Sequence, residues 1–103
     1  MSFGKEKMSD AEIISKLSLI VRSKKILWIE GDYLRGGETV HWECFVRLLG
    51  DVVAVGFDEY LQKYEDAIDL YDVYVRNKFS DIESALGFVL NSFPLVAEKM
   101  RRT

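Results

Sequence analysis

Three carboxylates and the one imidazole of the chain fall at Glu30, Asp32, His41 and Glu43, two on each side of a glycine-containing turn. If that turn joins a hairpin, the four side chains meet on one surface, because alternate residues of a strand share a face. One nitrogen and three oxygens can serve a divalent cation. Two apposed carboxylates can also work as an acid and base pair when one stays protonated. The chain carries one histidine and one cysteine, so it lacks the multi-ligand spacings of zinc motifs. A nucleophile elbow, a phosphate loop and a kinase set are also missing. No catalytic residue, metal or cofactor is assigned on this basis.

A second concentration of chemistry is FDEYLQKYEDAIDLYD, residues 57 to 72, with six carboxylates, three tyrosines and one lysine. Tyrosine offers contact area at low entropic cost, and carboxylates meet arginine or lysine. Tyr60, Tyr64 and Tyr74 lie among Asp58, Glu59, Glu65, Asp66 and Asp72. The stretch is expected to form a partner-facing rim, with Asp58, Glu59, Glu65 and Asp66 exposed. The competing reading of its tyrosines is that they fill the edge of the core. That reading applies above all to Tyr71, which alternates with Val73 and Val75.

Charge narrows the choice of partner. Thirteen acidic and five basic side chains lie between residues 28 and 83, a local net of −8 against −3 for the whole chain. Such a surface repels phosphate backbones and attracts a basic protein. At 103 residues and 49% apolar composition the chain suits one folded domain. The single Cys44 cannot form an internal disulfide, which fits a reducing cytoplasm. No apolar run reaches the roughly 20 residues that cross a bilayer.

The elements that must position these groups can be read in order. Residues 1 to 8 read as a flexible leader before a single domain from 9 to 103. Ser9-Asp10-Ala11-Glu12 has the form of a capping box, followed by Ile13, Ile14, Leu17, Ile20 and Val21 at helical spacing, a helix over about 10–22. Residues 25–34, 39–49 and 52–57 read as strands, separated by a turn at 35–38 and a Gly50-Asp51 loop suited to type II′. Tyr60, Leu61, Tyr64 and Ile68 suggest a short helix, and 69–77 alternates as a fourth strand. Ser80-Asp81-Ile82-Glu83 has the form of a second capping box before a last helix, which Pro94 ends or follows with a final short turn. The order α-β-β-β-(short α)-β-α predicts an α+β fold, an antiparallel four-stranded sheet with helices on one face and an open opposite face.

The two hairpin loops also set a register. Leu48 should face Val53, Val46 should face Val55, and Cys44 should face Phe57 and Ile29, with Trp42 over Gly31. All of these lie on the core face. The opposite face then pairs Trp28 with Phe45, Glu30 with Glu43, and Asp32 with His41. Directly opposed carboxylates repel, so Glu30 and Glu43 call for a cation, a basic partner residue or a shared proton.

The reading that follows is a small acidic cytoplasmic protein-binding module. Its docking residues are expected among Trp28, Glu30, Asp32, His41, Glu43, Phe45, Asp58, Glu59, Tyr60, Tyr64, Glu65, Asp66, Asp72 and Tyr74. The partner is expected to be a basic protein, with no direct nucleic acid or membrane contact. In size, charge and aromatic placement the chain resembles bacterial toxin-immunity proteins and phage-encoded inhibitors. That resemblance implies inhibition of a basic toxin or nuclease. Two alternatives use the same open face: a small-ligand or divalent-metal-binding domain, enzymatic or not, and a homodimer of structural role.

Overall fold

The computed structural model describes residues 9–102. The expected leader over 1–8 lies outside the described residues. Helix α1 spans Asp10–Lys24, and its capping box is formed: the Ser9 hydroxyl accepts from the Glu12 amide, and the Glu12 carboxylate accepts from the Ser9 amide. This satisfies two amides that the first helical turn leaves without partners. Lys25 ends the helix in the left-handed region, φ 70°, donating its amide to Val21. Its carbonyl then accepts from Leu48, tying the helix end to the sheet.

Strands β1 (Ile26–Arg35), β2 (Glu38–Leu49), β3 (Val52–Leu61) and β4 (Val73–Phe79) form one antiparallel sheet in sequence order. The β1–β2 turn is Gly36-Gly37 with φ of 59° and 84°. Both central residues need positive φ in a type I′ turn, which glycine supplies without a Cβ clash. In the β2–β3 turn Gly50 has φ 63° and Asp51 does not share the positive region, as type II′ requires. The registers are those expected: Ile29 opposite Cys44, Cys44 opposite Phe57, Val46 opposite Val55, and Gly31 opposite Trp42. Trp42 lies so close over Gly31 that a Cβ there would sit 2.7 Å from a ring carbon.

Helices α2 (Ile82–Ser92) and α3 (Pro94–Arg101) join α1 on one sheet face. Ile13, Leu17 and Val21 of α1 meet Ala85, Leu86 and Val89 of α2 and Val96 and Met100 of α3, above Trp42, Cys44, Val46, Val53, Val55 and Phe57. Leu27, Ile29 and Val73 close the edges, half-buried. Ion pairs fasten the helices outside the core, Arg22 to Glu83 at 2.7 Å and Arg101 to Asp10 at 3.0 Å.

Five local expectations change. Strand β3 runs four residues beyond Phe57, through Asp58, Glu59, Tyr60 and Leu61, because β2 is long enough to pair with all of them. The short helix is instead two single 3-10 turns, Gln62–Tyr64 and Ile68–Leu70, and β4 starts only at Val73. The second capping box is absent: Asp81, one residue later than expected, caps α2 by accepting from the Ser84 amide at 2.7 Å. Pro94 opens a separate eight-residue helix, its fixed φ suiting the first helical turn.

Candidate functional site

The face of the sheet away from the helices carries Trp28, Glu30 and Asp32 from β1, His41, Glu43 and Phe45 from β2, Asp58 and Tyr60 from β3, and Tyr74 and Arg76 from β4. Two zones share it. One is aromatic. Trp28 and Phe45 stack at 6.1 Å with planes 9° apart, and the ring of Phe45 lies over Gly56, where a Cβ would come within 2.2 Å of it. Arg76 places its guanidinium 4.0 Å from the centre of the Tyr74 ring and 5.3 Å from that of Phe45. Trp28 is 46% exposed and Tyr74 52%, so this zone faces outward.

The other zone is the imidazole and its carboxylates. His41 Nδ1 lies 2.5 Å from Asp32 Oδ1, while Nε2 lies 3.2 Å from Glu30 Oε1 and 3.5 Å from Glu43 Oε2. Burial works against the charged imidazole, but the hydrogen bond and charge of Asp32, with the charges of Glu43 and Glu30, outweigh it and raise its pKa. His41 thus stands between the apposed Glu30 and Glu43, whose charges favour its protonated form, and protonation there eases their repulsion. Glu43 has its own pKa raised, first by burial and next by Asp58, with His41 opposing.

Asp58 is the main correction to the expected rim. It is buried, 6% exposed, and bonded by Arg76 from β4, Nη1 to Oδ1 at 2.7 Å and Nη2 to Oδ2 at 3.1 Å. The expectation missed this because Asp58 lies in a sheet interior, two residues diagonally from Arg76 in the ladder, rather than in a helix. Glu59, also expected to be exposed, points to the helix side and accepts from the Tyr33 hydroxyl at 2.6 Å. Asp72 pairs with Arg35 at 2.8 Å. Glu65 and Asp66 are exposed, as expected, and Tyr64 is half-buried under Lys63.

Tyr60 is only 4% exposed. Tyr71, the residue read as core edge, instead folds back over it, its ring 4.2 Å away and 14° from parallel, and donates its hydroxyl to the Glu65 carbonyl. Tyr60 also lies against His41, ring centres 5.4 Å apart. Glu30, His41, Glu43, Tyr60, Glu65 and Tyr71 together line an open cavity of about 420 Å³. Nothing local in the sequence marks Tyr71 for this role, since it depends on the path of the loop 62–72. Cys44 lies beneath the sheet in the core, and burial, helped by Asp58, pushes its thiol up to about 12, which keeps it protonated and inert.

The balance at Glu43 has a measurable consequence. A carboxyl whose folded pKa is raised contributes stability at low pH, and loses it as pH climbs through the folded value. Near neutral pH, Glu43→Gln is therefore expected to stabilise the domain slightly, by about 0.2–1 kcal/mol, the scale of a cross-strand pair. The gain should shrink as pH falls below about 4 and vanish well below it, where Glu43 is protonated in both states. Urea melts at the two pH values check both the sign and its disappearance.

Among the described residues no helix is long and apolar enough to cross a membrane. Comparison of the chain with protein-family models, with curated proteins and with solved structures gives no match.

Proposed function

We propose that the chain is a small protein-binding module of the cytoplasm that docks a basic protein, in the manner of an immunity-type inhibitor of a toxin or nuclease. One observation carries the reading: outward-facing aromatic side chains, Trp28 and Tyr74, share a sheet face with Glu30 and Asp32. Interface centres favour tryptophan and tyrosine, and flanking carboxylates attract and orient a cationic partner. Exposed Glu65, Asp66 and Asp69 extend the acidic field along the loop after β3. Asp58 and Glu59 do not belong to this rim, since both are committed within the fold.

The test starts with capture of a partner from native lysate and proceeds to association kinetics with the purified pair. Joint reversal of Glu65, Asp66 and Asp69 to lysine should leave the melting temperature nearly unchanged. It should slow association about tenfold at low salt, with the difference shrinking as salt screens the charges. Trp28→Ala should act mainly on dissociation, speeding it about tenfold or more, as loss of a central aromatic contact does. An association rate indifferent to salt and to the reversals would reduce the acidic loop to a solvated surface and sink the reading.

A further inference from the structure

The cavity beside His41 has the ligand geometry of a metal site, independently of any docking to a protein. The Nε2 edge of the imidazole faces Glu30 Oε1 at 3.2 Å and Glu43 Oε2 at 3.5 Å, and the three ligand atoms lie within 4.8 Å of one another. Bonds of about 2.0–2.1 Å to a tetrahedral zinc ion place neighbouring ligand atoms roughly 3.3–3.4 Å apart. The two observed edges straddle that spacing, and the third lies within 4.8 Å.

On the far side of the ring, Nδ1 is held by Asp32 at 2.5 Å. A histidine that binds a metal through one nitrogen commonly donates the other N–H to a carboxylate, which fixes the ring and raises its basicity. Asp32 stands where that partner is needed. Glu30 and Glu43 come from adjacent strands paired directly across the ladder, so the backbone, not a flexible loop, sets their separation.

A separate observation points to a ligand in the cavity. Tyr60 is 96% buried by its 4% exposure, yet its hydroxyl forms no hydrogen bond among the described residues. No fully buried side-chain polar atom lacks a partner, so the hydroxyl reaches the cavity that Tyr60 lines with Glu30, His41 and Glu43. A hydroxyl open to the cavity can donate to or accept from a group bound there. Water on a metal in this cavity is one such group.

We infer that Glu30, His41 and Glu43 form a binding site for a first-row divalent metal ion of the zinc class, with Asp32 orienting His41 and the Tyr60 hydroxyl facing the ion's remaining water positions. An imidazole with two carboxylates favours such an ion over magnesium or calcium, which prefer all-oxygen shells. Three protein ligands leave at least one position open to solvent or to a small ligand.

The test uses the whole chain, stripped with a chelator and then freed of it. Zinc is added and followed by calorimetry and by the melting temperature, with magnesium and calcium run alongside. Zinc should bind one to one and raise the melting temperature, because it binds only the folded state, while the other two ions at the same concentration do so less. Glu43→Gln should fold and lose at least tenfold in zinc affinity. Asp32→Asn should lose about 10–100-fold through the imidazole it orients. Tyr60→Phe should bind zinc severalfold more weakly. No binding at millimolar zinc would overturn the site, as would undiminished binding in Glu43→Gln and His41→Gln. Neither result touches the docking reading, which is measured with a protein partner.

Discussion

Val46→Asp is expected to leave the protein largely unfolded. Val46 is 1% exposed, sits at the centre of β2 between Leu27 and Val55, and belongs to the core beneath the helices. Aspartate there loses an apolar contact and places a carboxylate where no cation reaches it. Burying an unpaired charge is among the few single changes that cost more than about 4–5 kcal/mol. Domains of this kind hold only about 5–15 kcal/mol in all. Circular dichroism in a urea series reads the result directly. A variant with the native midpoint would place Val46 on the open face and invert the phase of the whole sheet.

Arg76→Ala should have the next largest effect. Asp58 is buried, stands opposite Glu43 in the ladder, and is bonded through both oxygens to the Arg76 guanidinium. Removing the arginine strands that carboxylate and also uncovers Tyr74 and Phe45. Breaking a fully buried pair costs about 3–5 kcal/mol. The Arg76 side chain is 37% exposed, so water softens the loss and about 2–4 kcal/mol is expected. Adding Asp58→Asn to Arg76→Ala should recover part of it, since the stranded charge is gone. A cost below about 0.5 kcal/mol, the scale of an ordinary exposed pair, would show that the pair does not hold this face together.

The two hairpins were legible because two independent signals agreed in them. Alternation in Thr39–Leu49 fixed which side chains share a face, and the glycine turns fixed which residues face each other. A slip of one residue would have sent Trp42, Cys44 and Val46 into water. That precision carried the apposition of Glu30 with Glu43 and of Asp32 with His41 directly to the surface seen. It failed past Phe57, where two signals disagreed. Tyr60, Leu61, Tyr64 and Ile68 fit a helical stripe, and Asp58 and Glu59 are weak strand formers. The length of β2 decides the outcome, because His41 and Trp42 take Tyr60 and Glu59 as partners. The fold of Tyr71 onto Tyr60 and the bond of Arg76 to Asp58 depend on where the loop 62–72 returns the chain, which no local pattern encodes.

The sheet pairs only strands that are neighbours in the chain, and two of its three connections are two-residue turns. Closing each of those turns orders few residues, so the first three strands can zip together with little loss of chain entropy per step. Helix α1 is in the opposite position. It precedes the sheet, but its packing partner α2 follows the sheet, and the Arg22–Glu83 bridge spans 61 positions. The docking of α1 against α2 is therefore the contact that must close the longest stretch of chain, and it is expected to follow the meander. Until then the apolar underside of the sheet is only partly covered, and completing the cover depends on the two ends of the domain finding each other rather than on its strands.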